Sequence, residues 1–462
     1  MTNQIKSFDA IDHQTIVALC SPQGSGAIAL IRLSGDNALS VVDAFAKTAS
    51  GKKIVDYVTH SIVYGWVVDQ NQTVIDQVLF FIMHAPKTFT GQAIVEITCH
   101  NNPFLIEQII DRAIACGARL AGNGEFSQRA VMSGKIDLLQ AEAINDLIHA
   151  QSAQALKCSM AQLQGSFSSW IATIEQQVLD ILAFCEGSFE FLDEEMEFGS
   201  DIAKKLQILI NQIEDLLRTY PKQQQIKDGI KIALIGSVNV GKSSLFNALI
   251  KKNRAIVTPI AGTTRDCIET SIFIDGEFFT FIDTAGIRET NDVIEQEGID
   301  RSFNQAAHAD IILLVMDQSK DHQQDADAYQ RIIQQYDDKI IHVLNKIDLP
   351  QNQNEYQNTC ILVSAHQPET VQRLLHIIKK KADTLKKESN IAYLLNKRQY
   401  DLLANFLKHI TMIQPMLQKK RIDYELISYH LQQALQLLSE MTGRSINQAA
   451  FDKVFQTFCV GK

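Results

Sequence analysis

The sequence predicts a multidomain protein that combines α/β and all-α folds, and three observations support this prediction. Short apolar runs rich in β-branched residues dominate the first 130 residues, with helical patterns between them. Amphipathic helical periodicity dominates residues 135–217 and returns after residue 385. Between these two stretches, strand and helix patterns alternate from residue 229 onward. The chain is therefore predicted to form an N-terminal α+β domain and a discontinuous all-α helical domain into which an α/β domain is inserted.

The predicted domain boundaries follow these changes in periodicity. The α+β domain is assigned to residues 1–133, the first helical part to 134–228, the α/β domain to 229–384 and the second helical part to 385–462. Pro221 and the following QQQIKDG are predicted to end the last helix of the first part and to form a linker. A chain of 462 residues is expected to form roughly two to four domains.

Composition limits the possible classes of protein. The chain has 43 Lys and Arg against 53 Asp and Glu, a net charge of −10 and a pI near 5.7, so any RNA contact is expected to be a local patch. The N-terminus lacks the apolar core of a signal peptide, and no apolar run approaches the roughly 18 residues of a membrane span. We therefore expect a soluble cytoplasmic protein with no membrane partner. The eight cysteines form no C-x-x-C pair, which predicts reduced, mostly buried thiols.

The first domain shows strands but no chemistry of its own. Its predicted strands are TIVALC, IALIRLS, SIVYGWVV, VLFFIM and AIVEITCH, with helices near residues 38–45 and 103–116. Residues 24–29 have the outline of a dinucleotide-binding fingerprint, but that fingerprint opens a helix, whereas IALIRLS alternates like a strand. Arg32 and Glu96 lie within strands, and from this position alone they are interpreted as solvated residues rather than ligands.

Residues 231–250, KIALIGSVNVGKSSLFNALI, predict a strand, a phosphate-binding loop and a helix. Gly236 and Gly241 allow backbone N–H groups to curl around phosphate oxygens, and the helix N-terminus adds its positive dipole end. Lys242 is expected to reach the β- and γ-phosphates, and the Ser243 hydroxyl to ligate Mg²⁺.

Two segments after this loop are predicted to complete the γ-phosphate and Mg²⁺ site. Thr264, in the turn-rich KKNRAIVTPIAGTTRD, is the candidate for the second Mg²⁺ hydroxyl. The segment TSIFIDGEFFTFID is predicted to be a hairpin, and its second strand leads into the DTAG motif, which begins at Asp283. That motif would supply an acidic residue near Mg²⁺ and a glycine N–H near the γ-phosphate.

Two later segments indicate guanine as the base. The carboxylate of Asp348, in the segment NKID, can accept both N1–H and N2–H₂ of guanine, and CILVSA places a backbone N–H near the guanine carbonyl. The order of these motifs predicts a GTPase domain. Its candidate GTP-binding residues are Asn239, Val240, Gly241, Lys242, Ser243, Ser244, Thr258, Thr263, Thr264, Asp283, Thr284, Ala285, Gly286, Asn345, Lys346, Asp348, Ser364 and Ala365.

The motifs do not supply the usual groups for water activation. Where many small GTPases have a water-orienting Gln after DTAG, this chain has Ile287. Glu295 is a candidate replacement, with an exposed helix carboxylate as the alternative interpretation. Because no Arg is placed to act as a finger, Asn239 and the TPIAGTT segment are predicted to hold a monovalent cation.

The chain ends with Phe458-Cys459-Val460-Gly461-Lys462 in a segment otherwise patterned for helix packing. A thiol so close to the C-terminus is a candidate reactive group, and a plain core or surface thiol is the alternative interpretation.

The whole chain resembles the tRNA modification GTPase MnmE (TrmE) family through a series of ordered motifs. They are TIVAxxxPxGxGAIxxxRLSG at residues 15–35, FTGxxxVEIxCH at 89–100, GEFSxRAxxxGKxDLxQAEA at 124–143, GxxNVGKSSLFNAL, AIVTPIAGTTRD, IDTAGIRET and the terminal FCVGK. The resemblance implies an N-terminal tetrahydrofolate-binding domain that dimerises, a helical domain and an inserted GTPase domain of Ras-like fold.

The same resemblance implies a function. In that family potassium-stimulated dimerisation of the GTPase domains activates hydrolysis, and the homodimer works with an FAD-dependent flavoprotein, MnmG. Together they add a carboxymethylaminomethyl or aminomethyl group at C5 of the wobble uridine of certain tRNAs. The one-carbon unit would come from a 5-formyl- or methylene-tetrahydrofolate.

Position by position, the resemblance implies roles for named residues. Glu295 would orient the attacking water, and Cys459 would be the C-terminal cysteine needed for modification. The implied ligand sets are Asn239, Thr258, Ile260 and Thr263 for K⁺, Ser243 and Thr264 for Mg²⁺, and Arg32, Glu96, Lys135 and Lys462 for the folate.

The chain departs from the family pattern at two places. His100-Asn101-Asn102 stands where His-Gly-Gly is usual, and Val238 stands where Pro is common. Two other classes of protein share the nucleotide motifs. A ribosome-assembly GTPase would need a basic RNA-binding domain, and a septin-like scaffold would bind GTP with negligible turnover.

Overall fold

The computed structural model separates the chain into two compact units. The first comprises Met1–Asn145, Met160–Glu214 and Lys397–Lys462, and the second comprises Asp146–Ser159 and Asp215–Asn396. The sequence-predicted domain boundaries stay predictions. The structure describes residues 13–22, 24, 26–190, 198–237, 239–252, 270–274, 277–282, 295–319, 323–349, 360–386, 391–418 and 422–461.

The N-terminal part of the first unit is a seven-stranded sheet with helices against one face. The strand order is β3-β4-β5-β6-β2-β1-β7, and every pairing is antiparallel except that of β1 with β7. The elements are β1 (Ile16–Leu19), β2 (Ile28–Ser34), α1 (Ala38–Asp43), β3 (Ala46–Thr48), β4 (Ser61–Val68), β5 (Val74–Met83), β6 (Ile94–His100), α2 (Pro103–Ala115), β7 (Arg119–Leu120) and α3 (Glu125–Met132).

The two faces of this sheet differ in character. Val95, Ile97 and Cys99 alternate along β6 into the buried core, which also contains residues of α1 and α2. Because side chains alternate along a strand, Glu96 faces the other side, directly opposite Arg32 of β2 in the strand register. The strand that begins at Ile28 also excludes a dinucleotide-binding helix at this position, as the sequence indicated.

Five helices follow the first sheet along the chain. They are α4 (Leu138–Ile148), α5 (Ala153–Leu163), α6 (Ser166–Glu190), α7 (Phe198–Arg218) and α8 (Tyr220–Asp228). Helix α7 ends at Arg218, just before Pro221, as predicted, but the prediction of a linker after Pro221 is wrong, because Pro221 lies in the first turn of α8. Proline is tolerated there, since the first N–H groups of a helix have no intrahelical partner. Gly229, with a φ of +74°, follows the helix end.

The second unit contains a six-stranded sheet in the order β13-β12-β11-β8-β10-β9. All its pairings are parallel except the predicted β9–β10 hairpin, which is confirmed as antiparallel. Apolar clusters cover both faces, as a parallel sheet requires. Its elements are β8 (Ile230–Ile235), α9 (Lys242–Lys252), β9 (Thr270–Ile274), β10 (Glu277–Phe281), α10 (Glu295–His308), β11 (Ile311–Asp317), α11 (Gln323–Tyr336), β12 (Ile340–Asn345), β13 (Ile361–Leu362) and α12 (Pro368–Lys386).

The chain then returns to the first unit through α13 (Lys397–Leu417), α14 (Tyr424–Thr442) and α15 (Gln448–Phe455). Helix α14 packs against α13 and against α6, so helices from both sides of the nucleotide fold form one bundle. The sequence predicts helical periodicity after residue 385, but α13 begins only at Lys397, because residues 391–396 run in a non-helical conformation. With its α+β, helical and α/β parts, the predicted fold class is confirmed.

Two further sequence expectations can be compared with the described residues. Within these ranges, no helix combines the length and the apolar character needed to span a bilayer. None of the seven described cysteines is in a disulfide bond, but only Cys99, Cys158 and Cys185 are buried. The expectation of mostly buried thiols is therefore wrong for the described part of the chain.

Two histidines face each other between α13 and α14. The Nδ1 atoms of His409 and His430 lie 3.1 Å apart, and His430 is buried. Burial, with His430 and Lys408 as further causes, lowers the pKa of His409. The folded protein therefore favours a neutral imidazole, whereas the unfolded chain takes up a proton near pH 6.5.

We predict that this pair makes the helical bundle less stable in mild acid. As the pH falls through about 6.5, the unfolded state binds more protons than the folded state, so stability decreases. The thermal unfolding midpoint should fall less between pH 7.5 and pH 5.5 in His409→Gln than in the wild type. His376→Gln, at an exposed position on α12, is the matched control. An equal decrease in wild type and His409→Gln would contradict this prediction.

Candidate functional site

The phosphate loop lies between β8 and α9, and its conformation requires glycine at two positions. A Cβ on Gly236 would lie 2.3 Å from the carbonyl oxygen of Val315. Asn239 and Gly241 have φ values of +67° and +94°, in the left-handed region. The loop therefore curves tightly against the end of β11.

The side chains of the loop lie at the start of α9. The ammonium of Lys242 donates to the carbonyls of Gly236 and Ser237, at 2.6 and 2.8 Å. Ser243 is half-buried and Ser244 is exposed, both in the first turn of the helix, while Val240 is buried. An anion in this loop would meet the helix N-terminus and an ammonium that could exchange carbonyl partners for phosphate oxygens.

The segment after β12 is attached directly to the phosphate loop. The amide nitrogen of Asn345 donates to the Val240 carbonyl at 2.9 Å, and the Lys346 ammonium donates to the Asn239 carbonyl at 2.7 Å. The fit is close, because a Cβ on Gly241 would lie 2.3 Å from the Asn345 amide nitrogen. The predicted base-recognition and phosphate-binding segments are thus brought together.

The residues predicted to contact guanine lie at the ends of β12 and β13. Asp348 is exposed, and a hydrogen bond from the buried Ser364 is the main cause that lowers the pKa of its carboxyl group. An ionised, accessible carboxylate can accept two N–H donors from one edge of a guanine. Ala365 is half-buried beside Ser364.

Several predicted site residues cannot be placed. Glu295 is the first residue of α10, and its side chain lies outside the described part of the structure. The others outside the described residues are Thr258, Ile260, Thr263, Thr264, Asp283, Thr284, Ala285, Gly286 and Lys462.

Arg32 and Glu96 form an ion pair on the N-terminal sheet. The Arg32 Nε donates to Glu96 Oε1 at 2.7 Å, and the two side chains are 17% and 20% exposed. Arg32 also donates from Nη1 to the carbonyl of Gly461 at 3.3 Å and lies over the Phe126 ring. The interpretation of both residues as solvated strand positions is wrong, because they bond to each other and the C-terminal segment lies against Arg32.

The C-terminal segment is held by hydrogen bonds to residues of the N-terminal domain. The Gly461 carbonyl accepts from the Cys20 thiol at 3.1 Å as well as from Arg32. The Gly124 amide donates to the Cys459 carbonyl at 3.3 Å, and Val460 pairs with Asn123 as a β-bridge. This backbone pairing leaves the Cys459 residue exposed, two positions before Gly461, whose carbonyl accepts from Arg32.

Gly461 fits only because it lacks a side chain. Its φ is +93°, and a Cβ would lie 2.6 Å from the Leu19 carbonyl oxygen. Sequence reasoning singled out Cys459 but missed Gly461 and Cys20 as the contacts that fix the segment. The glycine in FCVGK was the one available signal, since glycine is the residue that tolerates such a conformation.

Lys135 bonds to a different segment from Arg32 and Glu96. Its ammonium is exposed and donates to the Pro86 carbonyl at 2.5 Å. Among the described contacts, it shares no hydrogen bond with Arg32 or Glu96.

Comparison with known proteins decides the family. The model described as MnmE helical domain matches residues 138–459, and the model described as GTP-binding protein TrmE N-terminus matches residues 15–135. The chain belongs to the tRNA modification GTPase MnmE family. The resemblance predicted from the motifs is therefore confirmed over nearly the whole chain.

Relatives in this family align from end to end. The tRNA modification GTPase MnmE of Geobacillus kaustophilus is 36% identical and aligns with 98% of this chain and 100% of its own. The protein of that name from Flavobacterium psychrophilum is 35% identical, with the same coverage. The one from Thermotoga maritima is 34% identical over 97% of this chain and 100% of its own.

Proposed function

We propose that this family member is a potassium-stimulated GTPase that works with an FAD-dependent partner, MnmG, on the wobble uridine of certain tRNAs. Together they add a carboxymethylaminomethyl or aminomethyl group at C5, with a one-carbon unit from a 5-formyl- or methylene-tetrahydrofolate. Membership of a family of tRNA modification GTPases makes the chain a GTP hydrolase. The observation that carries the proposal is the pair of hydrogen bonds from Asn345 and Lys346 to carbonyls of the phosphate loop.

The nucleotide site supports GTP as the substrate. The two loops are already joined through Asn345 and Lys346, so binding of a nucleotide has little ordering cost there. Asp348 offers an exposed, ionised carboxylate to the guanine edge, and adenine has no matching pair of donors. The Lys242 ammonium donates to two carbonyls of the phosphate loop and would exchange them for phosphate oxygens when the nucleotide binds.

The metal sites are proposed from the residue types and from the loop. Ser243, in the first turn of α9, and Thr264 would hold Mg²⁺, which neutralises charge on the β- and γ-phosphates when bound. Asn239, Thr258, Ile260 and Thr263 would hold K⁺. The left-handed conformation of Asn239 fits such a role, because it turns the loop sharply at that residue. Glu295 would orient the attacking water.

The Arg32–Glu96 pair supports a folate site. A largely buried carboxylate beside a guanidinium can accept the N–H donors of a pterin ring, while the guanidinium holds the carboxylate in place. Lys135 and Lys462 would add positive charge for the carboxylates of the folate tail. Cys459 is exposed two positions before Gly461, whose carbonyl accepts from Arg32, and we assign its thiol a role in the modification step.

A second copy of the chain is proposed as a partner, together with MnmG and tRNA. Ile62, Tyr64 and Leu79 are between 39% and 63% exposed on neighbouring strands β4 and β5. An apolar patch on the face opposite the core is typical of a surface that packs against another protein. We assign it to the homodimer contact of the N-terminal domains.

We predict that GTP hydrolysis is at least about tenfold faster in K⁺ than in Na⁺ at equal ionic strength. This is expected if K⁺ supplies the positive charge that an arginine finger supplies in other GTPases. Asn239→Ala should lose this potassium dependence, while binding of a fluorescent GDP analogue persists. The surface variant Asn211→Ala, on α7, is the control. Equal wild-type rates in both salts would remove the potassium part of the proposal.

We also predict that cells lacking this chain lose the modified wobble uridine from their tRNA. Mass spectrometry of tRNA nucleosides should show recovery with the wild-type gene and with Cys116→Ser, but not with Cys459→Ser. Purified Cys459→Ser should still hydrolyse GTP, because its thiol lies in the other compact unit. Unchanged nucleosides in the deleted strain would contradict the proposed function while leaving GTPase activity intact.

A further inference from the structure

Asp317 is a buried carboxylate that sequence reasoning did not assign to the nucleotide site. It is the last residue of β11 and is 1% exposed. Oδ1 accepts hydrogen bonds from the Ser319 amide at 3.0 Å and from the Ser319 hydroxyl at 2.7 Å. Oδ2 accepts from the Lys346 ammonium at 2.6 Å. A buried charge with this many donors is fixed in one orientation.

Lys346 links this carboxylate to the phosphate loop. The same ammonium that contacts Asp317 donates to the Asn239 carbonyl at 2.7 Å. Both Lys346 and Asn239 have positive φ values, +65° and +67°, which cost free energy in a residue that is not glycine. Two strained residues are thus held by one ammonium, and that ammonium is held by Asp317.

The end of β11, where Asp317 lies, also bonds to the strand that carries the base-recognition segment. It lies opposite Asn345 in the parallel register of β11 and β12, and the Gln318 amide donates to the Asn345 carbonyl at 3.0 Å. Asn345 in turn donates to the Val240 carbonyl. The end of β11 therefore supports both residues that join the base-recognition segment to the phosphate loop.

We infer that Asp317 is a positioning residue that couples guanine recognition to the alkali-ion site, acting through Lys346 on the Asn239 peptide. The inference rests on the proposed potassium site at Asn239. If the carboxylate is neutralised, the Lys346 ammonium loses its charged partner, and the Asn239 peptide loses the contact that holds its strained conformation. Nucleotide affinity and potassium affinity should then weaken together.

The test uses the full-length protein with Asp317→Asn, which keeps the size of the side chain. Its dissociation constant for a fluorescent GDP analogue, measured with Mg²⁺ in sodium buffer, should rise about tenfold, the usual effect of losing a hydrogen bond to a charged group. The K⁺ concentration for half-maximal GTP hydrolysis should rise severalfold. The maximal rate at saturating GTP and K⁺ should stay within about twofold, since Asp317 is not proposed to contact the reacting atoms.

A matched control lies on the chain immediately before the same strand. Asp310 accepts hydrogen bonds from the Lys231 amide and the Gln225 side chain, and burial raises its pKa. Asp310→Asn should leave both the GDP affinity and the potassium response unchanged. Thermal unfolding of each variant would show whether it folds.

A double variant separates positioning from a general loss of structure. If Asp317 acts through Lys346, Asp317→Asn should have little further effect on GDP affinity in a Lys346→Met background. Full additivity of the two changes would overturn the inference. So would a potassium response unchanged in Asp317→Asn when the wild type is stimulated by K⁺. A wild type that does not respond to K⁺ would instead overturn the proposed potassium site, and the coupling with it.

Discussion

The constraint on which the fold depends is the closure of the C-terminal segment onto the N-terminal sheet. The Gly461 carbonyl accepts from Arg32 and from Cys20, residues more than 400 positions earlier in the chain, and Val460 pairs with Asn123. Because residues from both ends of the chain belong to one compact unit, the nucleotide fold at residues 230–386 is an insertion, and the second unit also takes in Asp146–Ser159. The packing of α14 against α13 and α6 follows from the same closure, since these helices come from both sides of the insertion.

The two candidate sites share a physical design, although they lie in different units. In each one, a positively charged side chain bonds to a carboxylate and also donates to a backbone carbonyl of a segment that is distant in the sequence. Lys346 joins β11 to the phosphate loop through Asp317 and Asn239, and Arg32 joins the sheet to the C-terminus through Glu96 and Gly461. Glycines with positive φ allow the close approach in both, at Gly241 and Gly461. A site built in this way is largely formed before its ligand arrives, so less of the binding free energy is spent on ordering.

The sequence predicted the local structure well, and it failed where contacts join distant segments. Strands such as β2 and β6, the phosphate loop and the β9–β10 hairpin follow from patterns a few residues long. The sequence predicts a solvated Arg32, because its partners Glu96 and Gly461 are 64 and 429 residues away along the chain. No sequence motif points to Asp317, because the contacts from which we infer its positioning role depend on the register between β11 and β12. The sequence predicts a helix end at Pro221, and it does not show that the same residue lies in the first turn of the next helix, α8.

The central claim is that the returning C-terminus completes a ligand site on the N-terminal sheet. Isothermal titration calorimetry of the full-length protein with 5-formyl-tetrahydrofolate tests it most directly, with Gly461→Ala compared with Gly51→Ala. Both glycines have positive φ, but a Cβ at Gly51 meets nothing within 4 Å, whereas one at Gly461 meets Leu19 and Cys20. The account predicts that the wild type and Gly51→Ala bind the folate and that Gly461→Ala does not. Equal binding by Gly461→Ala and the wild type would contradict it.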